Sequence, residues 1–174
     1  MTYLLLLDII KIYTNYFGRD KKMSKACAFI GDNYIPEFIS IERSLNEAVF
    51  DSIEKKAADT FYLFEGRPYQ EKCLNVLLDA KKKYPNIKII IVVNRLTMVK
   101  YIQNRELYDD VIVTNRNIYD ENFHDVDYHF KWAIDNSDII IVNAPRPEYK
   151  FKNYIENSTK EKEVIRLKAQ HKPL

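Results

Sequence analysis

The chain has 174 residues, with 27 Lys and Arg against 25 Asp and Glu, which gives a formal net charge of +2. This length suits one domain that buries its core without disulfides or metals. So mild a charge gives no strong reason to expect nucleic acid as a partner. The two cysteines, Cys27 and Cys73, lack metal-type spacing and indicate reduced core thiols in a cytoplasmic protein.

Residues 1–22 differ from the rest of the chain. Leu4–Leu7 and Ile9 are apolar, but Asp8 interrupts them, and the run is far shorter than the ~20 residues of a membrane span. A basic n-region and a small-residue cleavage site are also lacking, so we expect no membrane partner. Met23 directly precedes the first good strand. Either the natural start lies there, or residues 1–22 form an added helix on the edge of the domain.

Short apolar runs from Lys25 onward predict strands. Ile87–Val93 is the strongest, because six of its seven residues are apolar and β-branched without alternation. A strand of this kind is buried on both faces, as central parallel strands are. The other predicted strands are Ala26–Ile30, Phe61–Phe64, Val111–Val113, Ile139–Val142 and Val164–Leu167.

Apolar residues at three- and four-residue spacing predict helices between these strands. Ser40 is the expected N-cap of the first helix, and Pro68 suits the first turn of the second. Strands alternating with helices predict right-handed crossovers and a parallel sheet. We therefore predict a single α/β domain over residues 23–167, with a mostly parallel sheet of five or six strands and a frayed tail over residues 168–174. The predicted helices are Ile41–Ala57, one from Pro68 through Lys83, Thr97–Leu107, Asp125–Asn136 and Tyr149–Ile155.

Five of the predicted strands end abruptly in polar residues. In open parallel sheets the ligand lies beyond the carboxyl ends of the strands, so these five tips should meet in space. Four of the chain's eight arginines occur there, and four of the five tips contain an asparagine. Arginine presents a planar fork that fits phosphate and carboxylate oxygens, which predicts an acidic small ligand; the alternative is ordinary polar loops. The predicted ligand-binding residues are Gly31, Asn33, Gly66, Arg67, Asn94, Arg95, Arg116, Asn143 and Arg146.

Glu65 is the best candidate for a working carboxylate, because it directly follows an apolar strand. It would bind a ribose hydroxyl, or act as a base or nucleophile at a glycosidic carbon. Asp32 has a similar position after the first strand. Tyr34 and Tyr69 follow the first two tips and would either stack on a base or simply pack in the core.

The histidines His124, His129 and His171 have no spacing that aligns them, so we expect surface positions, and we expect Trp132 in the core. Neither a metal site nor a cofactor is predicted. The P-loop and GxGxxG patterns of familiar nucleotide sites are also lacking.

Four stretches carry a resemblance to a known family, in their order and spacing: Cys27–Gly31, Phe61–Phe64, Lys81–Val93 and Asp135–Ile140. They are similar to the YpsA-like branch of the SLOG superfamily, which also includes DprA and LOG-type proteins, and the likeness covers about Ser24–Leu167. The resemblance implies a Rossmann-like three-layer fold that binds nucleotides, nucleotide sugars or related derivatives. Some relatives hydrolyse nucleoside monophosphates at the glycosidic bond.

The chain departs from this family at the turns that would hold phosphate. Where the family has Gly-His-Arg after the first strand, this chain has Gly31–Asn33, and where the family has a glycine pair after the second strand, it has Phe64–Glu65. The position of the family's Gly-Gly-Thr is occupied by Arg146–Glu148, and that of its Arg-Asn pair by His129–Phe130. The LOG-type hydrolase motif is absent. Larger side chains block backbone N–H groups from a phosphate, so the resemblance implies a divergent member with a changed ligand or lost catalysis.

Three functions remain open from the sequence. The first is a binding module for a nucleotide-like or phosphorylated small molecule. The second is a glycosidic-bond enzyme, a nucleosidase or deoxyribosyltransferase, with Glu65 or Asp32 as its carboxylate. The third is a degenerate domain for protein contact, including a homo-oligomer formed through residues 1–22 or the tyrosines.

Overall fold

The computed structural model describes residues 24–31, 35, 39–66, 68–114, 128–143, 151–158 and 160–171. They form an α/β domain around one six-stranded, all-parallel sheet with helices on both faces. This three-layer, Rossmann-like architecture confirms the predicted fold class. Residues 1–22, whose role the sequence leaves open, lie outside the described residues.

The described strands are β1 (Lys25–Gly31), β2 (Ile39–Ser40), β3 (Ala58–Leu63), β4 (Lys88–Val93), β5 (Asp110–Val113), β6 (Ile139–Asn143), β7 (Glu163–Arg166) and β8 (Gln170–His171). Six of them form the main sheet in the spatial order β5-β4-β3-β1-β6-β7. The chain adds β3, β4 and β5 on one side of β1, then returns to add β6 and β7 on the other. The strand order therefore reverses between β1 and β6, which is the topological switch point of the sheet.

The short strands β2 and β8 lie outside the main sheet and pair antiparallel with each other. Their partners are Ile39 with His171 and Ser40 with Gln170. Part of the segment that we expected to fray therefore forms a strand.

The helices occupy the predicted connections, and the second spans Pro68–Lys83 as expected, but the first is shorter than its periodicity suggested. The first ends at Glu54, and Ala57, the last residue of the predicted helix, has a left-handed backbone with φ of 64°. Ser40 Oγ accepts a hydrogen bond from the Glu42 N–H at 3.3 Å, but the N-cap position itself is Ile41. The helices are α1 (Glu42–Glu54), α2 (Pro68–Lys83), α3 (Tyr128–Asp135) and α4 (Lys152–Glu156).

The connection from β4 to β5 differs from the prediction. Two 3₁₀ turns, Leu96–Tyr101 and Arg105–Leu107, replace the helix expected over Thr97–Leu107. Asn104 lies between them with φ of 51°, a left-handed conformation that ends any helical run. Met98, expected to face inward, is 40% exposed.

Both faces of the sheet are covered, which explains the unbroken apolar runs of the strands. Alternate residues of β1 enter opposite sides of the core: Cys27 and Phe29 pack towards α1 and α2, while Ala28 and Ile30 pack towards α3 and α4. Burying one side chain the size of Phe29 contributes about 1.5–3 kcal/mol. Cys27 and Cys73 are free and buried, as predicted.

Candidate functional site

The carboxyl ends of the six parallel strands line one edge of the sheet, in the order β5, β4, β3, β1, β6, β7. The register pairs Gly31 at the end of β1 with Asn143 at the end of β6. Glu65 and Asn94 follow β3 and β4 at the same edge. Five of the predicted site residues lie outside the described residues: Asp32, Asn33, Arg67, Arg116 and Arg146.

The junction of β1 and β6 brings two backbones unusually close. Gly31 has φ of +146°, and a Cβ built on it would lie 2.1 Å from the carbonyl oxygen of Asn143. Only glycine fits this position, for steric and conformational reasons. Asn143 itself is only 7% exposed and takes part in interactions within the molecule.

The first turn of α2 binds the ends of the central strands. Gln70 is buried, donates a hydrogen bond to the Phe29 carbonyl at 3.0 Å, and accepts one from the Phe64 N–H at 3.2 Å. The Tyr69 hydroxyl donates to the Ile141 carbonyl at 3.2 Å, and its side chain is fully buried. Tyr69 is therefore a core residue, and of the two alternatives given for it, packing is right and base stacking is wrong. Tyr34 lies outside the described residues.

A pocket of about 740 Å³ opens beside the end of β3. It lies between α2 and the two 3₁₀ turns that connect β4 to β5. Glu65 and Gly66 are the predicted site residues that line it. The described lining residues are Glu65, Gly66, Glu71, Leu74, Asn75, Met98, Tyr101, Gln103, Asn104, Leu107 and Tyr108.

The charges at this pocket are negative. Glu65 and Glu71 line it, and neither lysine nor arginine occurs among its described lining residues. Burial raises the pKa of the Tyr108 phenol, and the nearby Glu65 and Glu71 raise it further. A phenol that resists ionisation beside two carboxylates indicates a negative local potential.

The Oε2 atom of Glu65 is closed off from solvent and receives no hydrogen bond from any described residue. An anion in this position has lost part of its hydration without gaining a donor. A hydrogen-bond donor that reached it would therefore be stabilising.

The remaining walls of the pocket are apolar, aromatic and amide-bearing. Met98 and Tyr101 are large side chains that are 40% and 60% exposed. The side chains of Asn75, Gln103 and Asn104 supply amide donors and acceptors. Sequence reasoning missed these residues, because it placed Met98 on the inner face of a helix. The amides of Gln103 and Asn104, which interrupt the apolar spacing, were the one signal against that helix.

The other described site residues lie away from this pocket. Asn94 is half-buried and Arg95 is exposed, and both interact with other groups of the chain. Neither they nor Gly31 and Asn143 are among the residues that line the pocket.

His129 and Trp132 lie on the face of the sheet that α3 covers. The His129 ring lies 5.3 Å from the Phe64 ring and is half-buried, so the expected surface position is wrong. Trp132 packs edge-on against Tyr62 at 5.4 Å and is partly buried. Across the described part of the chain, no three His, Cys, Asp or Glu side chains group closely enough to hold a metal ion.

The fold and the pocket define an α/β domain with a ligand-sized cavity at the carboxyl edge of a parallel sheet. No protein-family model matches the chain, and no curated protein matches it either. In the described segments, no helix has both the length and the apolar character that crossing a membrane requires.

Proposed function

We propose that this protein binds a nucleotide-like small molecule at the carboxyl edge of its sheet, with the sugar and base in the pocket beside β3. The observation that carries this proposal is the pocket of about 740 Å³ that Glu65 lines at the end of β3. Small-molecule sites have volumes of about 300–1,000 Å³. In sheets of this class, ligands bind beyond the carboxyl ends of the strands.

The lining residues suit the parts of a nucleoside. The Glu65 carboxylate accepts hydrogen bonds from ribose hydroxyls. Tyr101 and Met98 offer an exposed aromatic and thioether surface on which a base can stack. The amides of Asn75 and Gln103 are suited to the polar edge of that base.

The phosphate of a nucleotide would lie elsewhere on the edge, towards the cations that the sequence places after the strands. Of the four arginines at the strand tips, Arg95 is the one that lies in the part of the chain the structure describes. The resemblance to the YpsA-like branch of the SLOG superfamily supports the same ligand class, and membership of that superfamily is part of the proposal. Two free, buried thiols fit a reducing compartment such as the cytoplasm.

A thermal-shift panel of nucleosides, nucleotides and nucleotide sugars tests the proposal. A ligand present at 100 times its dissociation constant stabilises the folded state by about 2.7 kcal/mol. We expect at least one member of the panel to raise the melting temperature by several degrees. Unchanged melting temperatures across the panel at millimolar concentration would contradict the proposal.

A second candidate function is cleavage of a glycosidic bond. It is favoured by the Glu65 Oε2 atom at the pocket, which receives no hydrogen bond from the described residues. Glu65 would attack C1′ of a nucleoside and form a glycosyl ester while the base leaves with the bonding electrons and takes up a proton. Water would then hydrolyse the ester and release the sugar. Asp32 is the alternative carboxylate for this reaction.

Chromatography of nucleosides incubated with the protein tests this second function. We expect free base to accumulate with the wild type and to disappear with Glu65→Gln. Glu106→Gln is a matched control, because Glu106 is exposed on the second 3₁₀ turn and does not line the pocket. If the wild type releases no base from any nucleoside, the enzyme function is wrong, whereas the binding function is not affected.

A further inference from the structure

We infer that the pocket between α2 and the β4–β5 connection is selective for a ligand group that carries an amine or another hydrogen-bond donor, and that it rejects phosphate. This inference rests on the proposed function, because it names the chemical class that the same pocket accepts. It divides the carboxyl edge into a pocket for a cationic or neutral group and a separate place for any anion.

The first step is the charge of the lining. Glu65 comes from the end of β3 and Glu71 from the first turns of α2, so two separate elements supply the two carboxylates. The described lining supplies no cation to neutralise them. Like charges repel by about 1 kcal/mol at 4 Å even in bulk water, and by more where water is partly excluded. A phosphate dianion in this pocket would face that repulsion from both carboxylates.

The second step is the state of the Glu65 carboxylate. Its Oε2 atom is closed off from solvent, and no described residue donates a hydrogen bond to that atom. A structural carboxylate in a protein interior normally has such donors. A protonated amine or a hydroxyl group on a ligand supplies the donor that the chain does not, and an amine also neutralises the charge.

The third step is the shape and chemistry of the walls. Tyr101, Tyr108 and Met98 line the pocket with two aromatic rings and a polarisable thioether. Cations bind over aromatic faces, and most strongly where water is excluded. The Lys100 ammonium already lies 4.8 Å from the centre of the Tyr101 ring, so a ligand cation would be directed to Tyr108. The same surfaces accept a planar ring, so the pocket suits an aromatic or heteroaromatic body that bears an amine.

Calorimetric titration with tryptamine and indole-3-acetate tests the charge preference. The two ligands share an indole ring, and their side chains end in an ammonium group and a carboxylate respectively. Neither carries a sugar phosphate that could reach the cations elsewhere on the edge. We expect tryptamine to bind at least about tenfold more tightly than indole-3-acetate.

Charge-neutral variants show whether the two carboxylates cause the preference. Glu65→Gln should reduce the ratio of tryptamine affinity to indole-3-acetate affinity at least about fivefold, and Glu71→Gln, on the exposed surface of α2, should also reduce it. Glu106→Gln removes the same charge outside the lining and should leave the ratio unchanged. Thermal unfolding of each variant without ligand verifies that it folds.

The outcomes separate this inference from the proposed function. Equal affinities for tryptamine and indole-3-acetate, or tighter binding of indole-3-acetate, overturn the charge preference and leave nucleotide binding in place. Tryptamine binding that depends on Glu65, without any nucleoside binding, retains the charge preference and overturns the nucleotide proposal. If neither tryptamine nor any nucleoside binds at millimolar concentration, both are wrong.

Discussion

Two regions on the same edge of the sheet differ in how closely the chain packs. The junction is the place where Gly31 of β1 meets Asn143 of β6, and the flank is the region beside the ends of β3 and β4 where Glu65 and Gly66 line the pocket. At the junction, Gly31 leaves no space for even one additional carbon atom beside the Asn143 carbonyl. On the flank, Gly66 has open space around it and lines a pocket of about 740 Å³. Both glycines have positive φ angles, 146° and 70°, so the contrast comes from packing and not from backbone conformation alone.

This difference concerns where the described part of the sheet edge leaves room for a ligand. The general expectation places the ligand at the switch point, here between β1 and β6, and the residues that follow both strands lie outside the described part of the chain. Among the described residues, a pocket of about 740 Å³ lies beside β3, next to the connection that forms 3₁₀ turns in place of the predicted helix.

The largest expected effect comes from adding a methyl group at each glycine. Gly31→Ala should lower the free energy of unfolding by about 3 kcal/mol or more, because the new Cβ would collide with backbone atoms that cannot move independently. Gly66→Ala should cost only about 1 kcal/mol, the penalty of a left-handed alanine without a clash. Urea denaturation of the two variants measures both values. Equal losses would show that the junction is no tighter than the flank.

The second expected effect concerns the link between α2 and the strand ends. Gln70→Leu keeps the size of the side chain but removes its bonds to the Phe29 carbonyl and the Phe64 N–H. Leaving buried backbone groups without partners should cost about 2 kcal/mol of unfolding free energy. Gln103→Leu is a suitable control, because Gln103 is exposed and should change stability by less than about 0.5 kcal/mol. A neutral result for Gln70→Leu would mean that α2 is held by its apolar contacts alone.

A bulky residue in the open region should abolish binding and leave stability intact. Asn75 is exposed on α2 and lines the pocket, so Asn75→Trp should weaken binding of any pocket ligand at least about tenfold, which is 1.4 kcal/mol. Asp79→Trp places the same side chain one turn further along α2, outside the lining, and should bind like the wild type. Calorimetry measures both affinities. Unimpaired binding by Asn75→Trp would place the ligand elsewhere on the edge.

The smallest expected effect is a shift in the titration of one tyrosine. Burial first, and then Glu65 and Glu71, raise the pKa of Tyr108 above its ordinary value of 10.0. The folded state therefore keeps a phenolic proton that the unfolded state loses above about pH 10. Because of this difference, the free energy of unfolding falls as the pH rises above that value, and Tyr108 contributes no pH dependence at neutral pH. The phenolate absorbance of the wild type minus that of Tyr108→Phe gives the titration. It should shift to lower pH in Glu65→Gln, and an unchanged midpoint would contradict the negative potential of the pocket.

The sequence predicted the sheet well because its central strands are buried on both faces. The run through Ile87–Val93 is apolar at almost every position, and the structure has β4 at Lys88–Val93. Helix ends were predicted less well, because they depend on backbone conformations such as that of Ala57, which periodicity does not reveal.

The site could be predicted only in part. Glu65 and Gly66 were found because a polar tip after an apolar strand is visible in the sequence, and both line the pocket. Tyr101 and Tyr108 were not found, since their role depends on a segment whose apolar spacing resembles a helix. The left-handed Asn104 and the packing of Ile102 determine the path of that segment, and both are consequences of the tertiary structure.

Chemical-shift mapping by NMR tests most directly whether the open flank, and not the tight junction, is the binding site. The amide spectrum of the labelled protein is recorded while adenosine is added. We predict that the largest shifts occur at Gly66, Glu71, Asn75, Gln103 and Tyr108. Shifts centred on Gly31 and Asn143, with the flank unaffected, would contradict this account.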